Sequence, residues 1–509
     1  MKRNTRTATK ILALLICALM LSPSIISCSE NSADNSEKDS TTDTTTPSNS
    51  TESGTDAADD ESKTLMPNIP QLDFEGSTFT FLTSGANDTN GVDWETYDVW
   101  AETVNGEPIN DAVYERNNYI NETYNVSIAE YKTSKDTLSE IKQEVQASTG
   151  MFQAAFTHFQ NGATLAQQGA LLDLLQMPYI DISQPWWDQR AAEDLEILGR
   201  LYQATGDITV IDNDATWVLF FNKQMREDLQ MDDLYTLVRE DKWYYDTMYS
   251  MVQAASMDVN ADGKMSYKDD RLGFITSDAS CYGLLYASGI QLVKPDKEEV
   301  FTFTNELDKL SSVVEKAGKI ISDKNTTHLT GDEGSDSNTI RVAFEEGRGL
   351  FYGEVMQCAT RMRASDTAFG LIPWPKFDEN QDSYYNWIHS SAGRGIVIPI
   401  SVPQQNYEMV GAIIEAYAAK SMSTLTEAYY DKSFTYKSLR DEDSIEMLEI
   451  VLQSRMYSLG DIYTLSLDGG ITALIKNGST DVASAWTRSS KVAGKMLEKV
   501  VKNLEKYMQ

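Results

Sequence analysis

Oxygen-bearing side chains recur along residues 258–269 with the spacing of a calcium-binding loop. In the EF-hand pattern, side-chain oxygens stand at positions 1, 3, 5 and 9, a backbone carbonyl at 7 and glycine at the turn position 6. Those positions are filled, in chain order, by Asp258, Asn260, Asp262, Gly263, Lys264 and Ser266. The last position holds Asp269, whose carboxylate reaches less far than the usual bidentate Glu. The segment predicts one weakly held structural calcium ion; the alternative is a turn whose acids are only solvated.

Catalytic signatures are mostly missing from the sequence. It has no G-x-S-x-G nucleophile elbow, no G-x-x-x-x-G-K phosphate loop and no H-E-x-x-H zinc helix. None of its histidines, His158, His328 and His389, lies four residues from another. A glycoside hydrolase needs two carboxylates at a fixed separation, which a chain with 77 acids does not reveal. We therefore predict that the protein is not an enzyme, with a secreted polysaccharide-active enzyme as the alternative.

The N-terminus has the pattern of an export signal. A cationic stretch that ends at Lys10 is followed by an apolar run from Ile11 to Met20, which is too short to span a bilayer. The next residues, Ile-Ile-Ser-Cys at 25–28, resemble a lipobox, in which the Cys thiol is acylated and the chain is cut before it. We predict a signal peptide over 1–27 and a lipid on Cys28; the alternative is an ordinary signal peptide with a chance Cys.

Residues 28–65 have the composition of a disordered tether. After Cys28 they are dominated by Ser, Thr, Asp, Glu and Asn and contain no aromatic residue, so they cannot bury enough apolar surface to fold. No later stretch is long and apolar enough to cross a membrane. We therefore expect the membrane contact to be the lipid alone, at the extracellular face of the cytoplasmic membrane.

The charge balance bears on the partners of the chain. Four of the 43 basic residues precede Cys28, so the remainder carries 39 bases against 77 acids. Such an excess of negative charge repels phosphates and argues against nucleic acid as a partner. The two cysteines that follow the tether, Cys281 and Cys358, imply either one disulfide or two buried thiols.

Strand and helix patterns alternate from about residue 72 onward. Residues 79–82 and 126–128 are typical of strands, and apolar residues at helical spacing follow each of them. Further strands are predicted at 201–202, 208–211, 218–221, 350–352 and 395–400, and the C-terminus predicts an amphipathic helix. Alternation over this length indicates an α/β architecture, and the length suffices for two lobes, each with its own core.

Several segments resemble family 1 extracellular solute-binding proteins of Gram-positive bacteria, the receptor subunits of ABC importers. GEPINDAVYERN at 106–117 is similar to their opening helix, and 206–223 to their first crossing between lobes and the strand after it. The other similar segments, in the same order as in the family, are 234–243, 344–352 and 370–376. The resemblance covers roughly residues 70–400.

This resemblance implies an α/β periplasmic-binding-protein-like fold, with two lobes joined by hinge strands around a central ligand cleft. The first lobe would comprise 66–207 and 345–400, and the second 208–344 and 401–509. The implied function is capture of a small ligand, a carbohydrate above all, for import through ABC permease subunits. A lipoprotein sensor or adhesin without a transport role stays open, and we expect a monomer.

A sugar is held by aromatic faces that stack on its C–H surfaces and by planar polar side chains that pair its hydroxyls. Residues of these types lie where the family places cleft loops: His158, Gln160, Asp212, Asp214, Trp217, Tyr352, Glu354, Trp387 and Arg394. Trp217 could instead belong to the core, and Asp212 and Asp214 could instead be hydrogen-bond acceptors of the hinge.

Overall fold

The computed structural model of the 509-residue chain describes residues 66–85, 94–296, 300–434 and 442–508. They all belong to one compact unit. The predicted signal peptide, Cys28 and the tether lie outside the described residues. Within the described ranges, no helix is both long and apolar enough to cross a bilayer.

The strands form two main sheets and two small ones. In chain order they are β1 Ser77–Ser84, β2 Val126–Thr133, β3 Ala154–His158, β4 Trp217–Asn222, β5 Leu272–Thr276, β6 Val293–Asp296, β7 Val300–Phe303, β8 Thr327–Leu329, β9 Gly349–Val355, β10 Phe369–Ile372, β11 Asn386–Trp387, β12 Arg394–Val397 and β13 Arg455–Met456. The first sheet has the order β12-β3-β1-β2, and only β12 runs antiparallel to its neighbour. The second has the order β10-β4-β9-β5-β8, with β5, β8 and β9 parallel to one another.

Helices follow most of the strands. They are α1 Pro108–Tyr124, α2 Thr137–Ala147, α3 Phe159–Ala166, α4 Gln189–Leu195, α5 Ile211–Asp214, α6 Lys223–Asp228, α7 Leu234–Arg239, α8 Tyr245–Ala255, α9 Ser280–Ala287, α10 Leu307–Ile321, α11 Ser337–Glu345, α12 Cys358–Arg361, α13 Tyr407–Met422, α14 Leu425–Phe434, α15 Glu442–Gln453, α16 Leu459–Ile462, α17 Leu467–Asn477 and α18 Val482–Glu505. The α/β class predicted from the alternation is confirmed.

Local sequence explains where α1 begins and ends. Pro108 takes the first helical turn, where a missing N–H costs nothing, and Asn125 adopts the left-handed conformation that ends the helix. Between them Ile109, Val113 and Ile120 recur at helical spacing and are buried. These are the residues from which the helix was predicted. The C-terminal helix α18 likewise buries one apolar face.

The first connection between the two sheets differs from the predicted one. Residues 208–211 were expected to be a strand, but Ile211–Asp214 is a helical turn that leads directly into β4. Leu201–Tyr202 is also not a strand; nearby, Ala204 makes a single bridge to Ile396 of β12. Short β-branched runs favour a strand only when a neighbouring strand can pair with them.

The strands of residues 345–400 are divided between the two sheets. Gly349–Val355 and Phe369–Ile372, which the sequence analysis assigned to the first lobe, pair within the second sheet. Only Arg394–Val397 returns to the first sheet, beside β3. In the C-terminal segment, α13 and α14 pack on α1 beside the first sheet, whereas α15 packs on β10 of the second. Apolar pattern reveals that these segments are strands and helices but does not reveal which sheet they join.

A buried ion network lies where the chain passes between the sheets. The guanidinium of Arg455 donates to Asp188 at 2.7 Å and to Asp212 at 2.9 Å, and Tyr457 also donates to Asp188 at 2.9 Å. Thr205 donates to Asp212 at 2.8 Å, so three distant chain segments meet here. The side chains of Arg455 and Asp212 are 9% and 0% exposed. Charges this buried are tolerated only when they are paired and hydrogen-bonded.

We predict that Arg455→Ala lowers the free energy of unfolding by about 3–5 kcal/mol, because it leaves the buried carboxylate of Asp212 and the largely covered one of Asp188 without their cation. A urea melt in mildly alkaline buffer measures the change. Arg239→Ala is the control, since Arg239 pairs with Asp443 and Glu446 at the surface and its loss should cost at most about 1 kcal/mol. Equal losses in the two variants would contradict the assigned role of the network.

Candidate functional site

A cleft of about 700 Å³ lies between the two main sheets. Most of its wall consists of hydroxyl, imidazole, charged and indole side chains. The lining residues are Ser84, Gly85, Trp94, Ser134, Lys135, Asp136, Thr137, His158, Trp217, Ser277, Ala279, Ser337, Glu354, Val355, His389, Ser391, Ala392 and Arg394. Both sheets therefore contribute, which is the arrangement that lets a ligand bridge two lobes.

The topology explains which residues meet in the cleft. The parallel strands β1, β2 and β3 all end at the same edge of the first sheet, at Ser84, Thr133 and His158. The second sheet contributes the ends of β5 and β9 and the start of the antiparallel strand β4, which is Trp217. Carboxyl ends of parallel strands are where open α/β sheets bind ligands.

The structure brings four of the predicted ligand residues together. His158, Trp217, Glu354 and Arg394 all line the 700 Å³ cleft. Arg394 and His158 are also direct partners in the register of β12 and β3. Their contact with a ligand stays a prediction, but their shared position agrees with it.

Two further predicted residues, Gln160 and Trp387, line an adjoining cavity of about 480 Å³. His389 and Ala279 belong to the walls of both cavities, so the two spaces are neighbours. Trp387 stacks on Tyr282 with ring centroids 5.1 Å apart, and Tyr282 itself is only half-buried. This stacked pair gives the smaller cavity an aromatic wall.

Tyr352 is placed in the core rather than in the cleft. Its side chain is fully buried between the rings of Phe220 and Phe344, at centroid distances of 6.2 and 5.3 Å. It lies in the middle of β9, a central strand whose residues are all buried. Glu354, two residues on and at the end of the same strand, reaches the cleft instead.

Asp212 and Asp214 do not line the cleft and act as hydrogen-bond acceptors of the junction. Asp212 belongs to the Arg455 network described above. Asp214 accepts from the hydroxyls of Tyr97 at 2.7 Å and Tyr429 at 3.0 Å. Both carboxylates lie on the helical turn α5 and meet their partners inside the protein, so neither is turned toward the cleft.

Sequence reasoning missed the loop that follows β2. Ser134, Lys135, Asp136 and Thr137 all line the cleft, and Asp136 also caps α2 by accepting from the backbone N–H of Leu138. Polar residues directly after a strand that runs parallel to its neighbours are the signal that could have identified them. Trp94 and the serines at 84, 277, 337 and 391 also line the cleft and were missed, and only Ser84 and Ser277 lie at or directly after the end of a parallel strand.

Trp217 forms part of the cleft wall while being almost entirely buried. It is 3% exposed, and its ring packs against Trp387 and His389 with centroids 5.7 and 6.3 Å away. Its indole N–H donates to Ser280 at 3.1 Å. Only an edge of the ring is left for a ligand, so the packing role dominates its energetics.

Burial sets the electrostatics of the cleft. It lowers the pKa of His158 to about 4, with a further contribution from the Arg394 cation, and lowers the pKa of His389. Both imidazoles are therefore neutral at pH 7. Burial raises the pKa of Glu354 to about 7, against a hydrogen bond from the Val355 N–H that lowers it. The carboxyl is thus partly protonated near neutral pH and can then donate a hydrogen bond.

The predicted calcium loop is held together by its own hydrogen bonds. Asp258 accepts from the Gly263 N–H at 2.8 Å, and Asp262 accepts from the Lys264 N–H at 2.8 Å. Asp270, one residue after the predicted last ligand Asp269, closes the loop by accepting from two backbone amides. In the described part of the chain, no three His, Cys, Asp or Glu side chains converge as a metal site. Calcium binding here stays a prediction.

Cys281 and Cys358 are both buried free thiols, which decides between the two possibilities that the sequence left open.

Comparison with known proteins identifies the fold. No protein-family model and no curated protein matches the sequence. An ABC substrate-binding protein from Listeria monocytogenes, in complex with cycloalternan, matches with TM-score 0.52 and 12% identity over 83% of this chain and 99% of that one. A sugar transporter of Rhizobium etli in an open conformation gives TM-score 0.54 and 12% identity over 82% and 99%. The chain has the periplasmic-binding-protein-like fold.

A family 1 extracellular solute-binding protein from Bifidobacterium longum subsp. infantis has the same fold, with TM-score 0.51 and 13% identity over 82% of this chain and 99% of that one. The predicted periplasmic-binding-protein-like fold is therefore confirmed. At such identities the likeness establishes the fold alone, so the ligand is argued from the cleft.

We predict that Trp217→Ala lowers the free energy of unfolding by about 3–5 kcal/mol, because the ring is buried and the change leaves a cavity. A urea melt measures it, and Trp100→Ala, whose ring is 45% exposed, is the matched control with a change within about 0.5 kcal/mol. A Trp217→Ala protein of unchanged stability but weaker ligand binding would show instead that the ring serves the ligand alone.

We predict that Glu354 destabilises the protein as the pH rises. Its pKa is about 7 in the folded protein against 4.5 for the free group, so the native state holds this proton more tightly between those values. Relative to Glu354→Gln, the wild-type free energy of unfolding should fall by about 3 kcal/mol as the pH rises from about 4.5 to 8. Melts of both proteins across this range measure the difference.

Glu122→Gln, which removes an exposed carboxyl, is the control for the loss of one negative charge. A wild-type curve parallel to that of Glu354→Gln would contradict the assigned environment of this carboxyl.

The calcium prediction is decided by a thermal melt with and without a chelator. If the loop holds calcium, chelation lowers the melting temperature of the wild type and of the exposed control Asp232→Ala but not that of Asp258→Ala. Identical wild-type curves with and without the chelator would mean that the loop is a solvated turn.

Proposed function

We propose that this chain is an extracellular solute-binding protein that captures a carbohydrate for an ABC importer. The observation that carries the proposal is the cleft between the two sheets, which combines aromatic rings with hydroxyl, imidazole and charged side chains. Aromatic faces and planar polar groups together are what a sugar ring requires. The Listeria protein of the same fold is in complex with a saccharide, cycloalternan, which supports the same ligand class here.

The dimensions of the cleft support an oligosaccharide. A cleft of about 700 Å³ continues into a cavity of about 480 Å³ with its own aromatic wall, Tyr282 and Trp387. Typical small-molecule pockets measure about 300–1,000 Å³, so the combined space exceeds that of one drug-sized ligand. A linear chain of several sugar rings would extend from one cavity into the other past His389.

Closure of the two lobes would complete the site. Trp217 and Glu354 come from the second sheet, and His158 and Arg394 from the first, so a ligand bound to both favours the closed arrangement. The alternative function is that of a polysaccharide-active enzyme, which would cleave the saccharide that it binds. Asp136 and Glu354 both line the cleft and could supply the two carboxylates of a glycoside hydrolase, so an assay for released reducing ends is a necessary control.

A thermal-shift and calorimetric screen of malto-, xylo- and manno-oligosaccharides of increasing length tests the proposal. A ligand that binds the native state raises its melting temperature by mass action. We expect binding without the release of reducing ends, and a preference for chains long enough to reach the smaller cavity. Release of reducing ends would show that the protein is an enzyme and not a receptor. If no saccharide binds, both functions are wrong.

We further propose that the lipid on Cys28 anchors the receptor and that permease subunits receive its ligand. Cys28→Ala should release the protein from the membrane fraction into the medium or block its processing, because the thiol is the acylated group. Cell fractionation and metabolic labelling with a fatty acid measure the change. Ser40→Ala, in the same predicted tether, is the control. A Cys28→Ala protein that still carries lipid would refute the anchor.

A further inference from the structure

We propose that the carbohydrate captured by this cleft carries a carboxylate, as in a uronate-containing oligosaccharide, and that Arg394 binds it. The inference rests on the proposed receptor function and names the chemical class of its ligand. It is carried by a buried cation that no carboxylate of the described residues contacts and by the helices that begin around the cleft.

Arg394 is a buried guanidinium that lines the cleft. It is 4% exposed, its Nη2 donates to the backbone carbonyl of Trp94 at 2.9 Å, and its Nε has no hydrogen-bond partner. Among the described residues it makes no ion pair with a carboxylate. Asp98 and Asp136 are near enough to favour its charged form, but neither is in contact with it. A buried charge is ordinarily paired, so the partner of this guanidinium is expected to come from outside the chain.

The other buried arginines make more hydrogen bonds within the protein. Arg455 pairs with Asp188 and Asp212, as described above, although its Nε is also without a partner. Arg116, which is fully buried and contacts no carboxylate of the described residues, donates to the Tyr417 and Ser421 hydroxyls and to backbone carbonyls. Arg394 differs from both because, within the described ranges, it donates to one backbone carbonyl only and lines the cleft.

Four helices begin at the cleft. Their first or capping residues, Thr137 of α2, His158 before α3, Ala279 before α9 and Ser337 of α11, all line its wall. Each helix N-terminus carries about half a positive elementary charge from aligned peptide dipoles. Two come from each side of the cleft. An aspartate caps α2 and α11, whereas no side chain caps α3 and α9, so the N-termini of α3 and α9 are the two that no capping carboxylate offsets.

The acidic side chains of the cleft do not cancel its preference for a negatively charged ligand. Asp136 already accepts from the Leu138 N–H and from the Asn161 side chain at 2.9 Å. Glu354 accepts from the Val355 N–H at 2.9 Å, and its raised pKa leaves it partly protonated near pH 7. Lys135 adds a cation at the rim, although Glu140 pairs with it. In a chain with 77 acids and 43 bases, this wall is not acidic.

The experiment compares each acidic ligand with its own neutral form. Oligogalacturonate, oligomannuronate and a glucuronate-substituted xylo-oligosaccharide are titrated calorimetrically into the full-length chain in detergent, each beside its methyl ester. The neutral oligosaccharides of the screen above are titrated in parallel. We expect at least one acid to bind tenfold or more tightly than its ester, which corresponds to about 1.4 kcal/mol.

Two variants test whether Arg394 is responsible. Arg394→Gln should bring the ratio of acid to ester affinity close to one, and Arg394→Lys should keep part of it, since it keeps the charge but loses the bidentate fork. Arg200→Gln is the control, because Arg200 pairs with Asp173 and does not line the cleft. A merely structural role of Arg394 would change the melting temperature and leave this ratio unaltered. The wild-type comparison of acid and ester does not depend on the folding of any variant.

The outcomes separate this inference from the function on which it rests. If the esters or the neutral oligosaccharides bind as tightly as the acids, the ligand is not specifically acidic, and the proposed receptor function is unaffected. A preference for the acid that persists in Arg394→Gln overturns the role of Arg394. Binding of no saccharide of either kind overturns the proposed function itself.

Discussion

The placement of one buried arginine between two aspartates is the constraint that ties together distant chain segments where the two sheets are joined. Arg455 reaches Asp188 and Asp212, which belong to segments more than two hundred residues earlier in the chain. Burial of these charges costs free energy that only good geometry and further hydrogen bonds offset. Such a network has one arrangement in which every member is paired. It therefore specifies the path of the chain at the junction, and with it the positions of β4 and β11 beside the cleft.

The class of the fold and most of its elements were predictable from the sequence. The helix at 108–124 follows from a proline at its first turn and apolar residues at helical spacing, both of which are local features. The membership of the sheets was not predictable. Gly349–Val355 has the composition of a buried strand, and that composition is equally compatible with either sheet. Long-range pairing between strands decides which sheet a strand joins, and no short window of sequence contains that information.

In the candidate site, too, some features were predictable from the sequence and others were not. His158, Glu354 and Arg394, which lie at the ends of strands, line one cleft, and their contact with a ligand stays a prediction. Asp212 and Asp214 do not reach the cleft, because their carboxylates meet Arg455, Tyr97 and Tyr429 inside the protein. Tyr352 was misplaced because the strand it occupies is central and covered on both faces. Residue type suggests what a side chain could bind, but only the backbone decides what it meets.

The cleft also shows how a strongly acidic chain can present a locally different surface. Long-range potential follows the net charge, which here repels anions. Inside the cleft, short-range terms dominate, because low dielectric strengthens interactions over a few ångströms far more than those across solvent. Helix N-termini and one unpaired guanidinium act over that distance, while burial partly neutralises Glu354 and keeps both imidazoles uncharged. The sign of the whole protein therefore does not determine the sign of the ligand. The groups that line the cleft bear on it more directly, and we propose that its helix N-termini and Arg394 favour an anionic ligand.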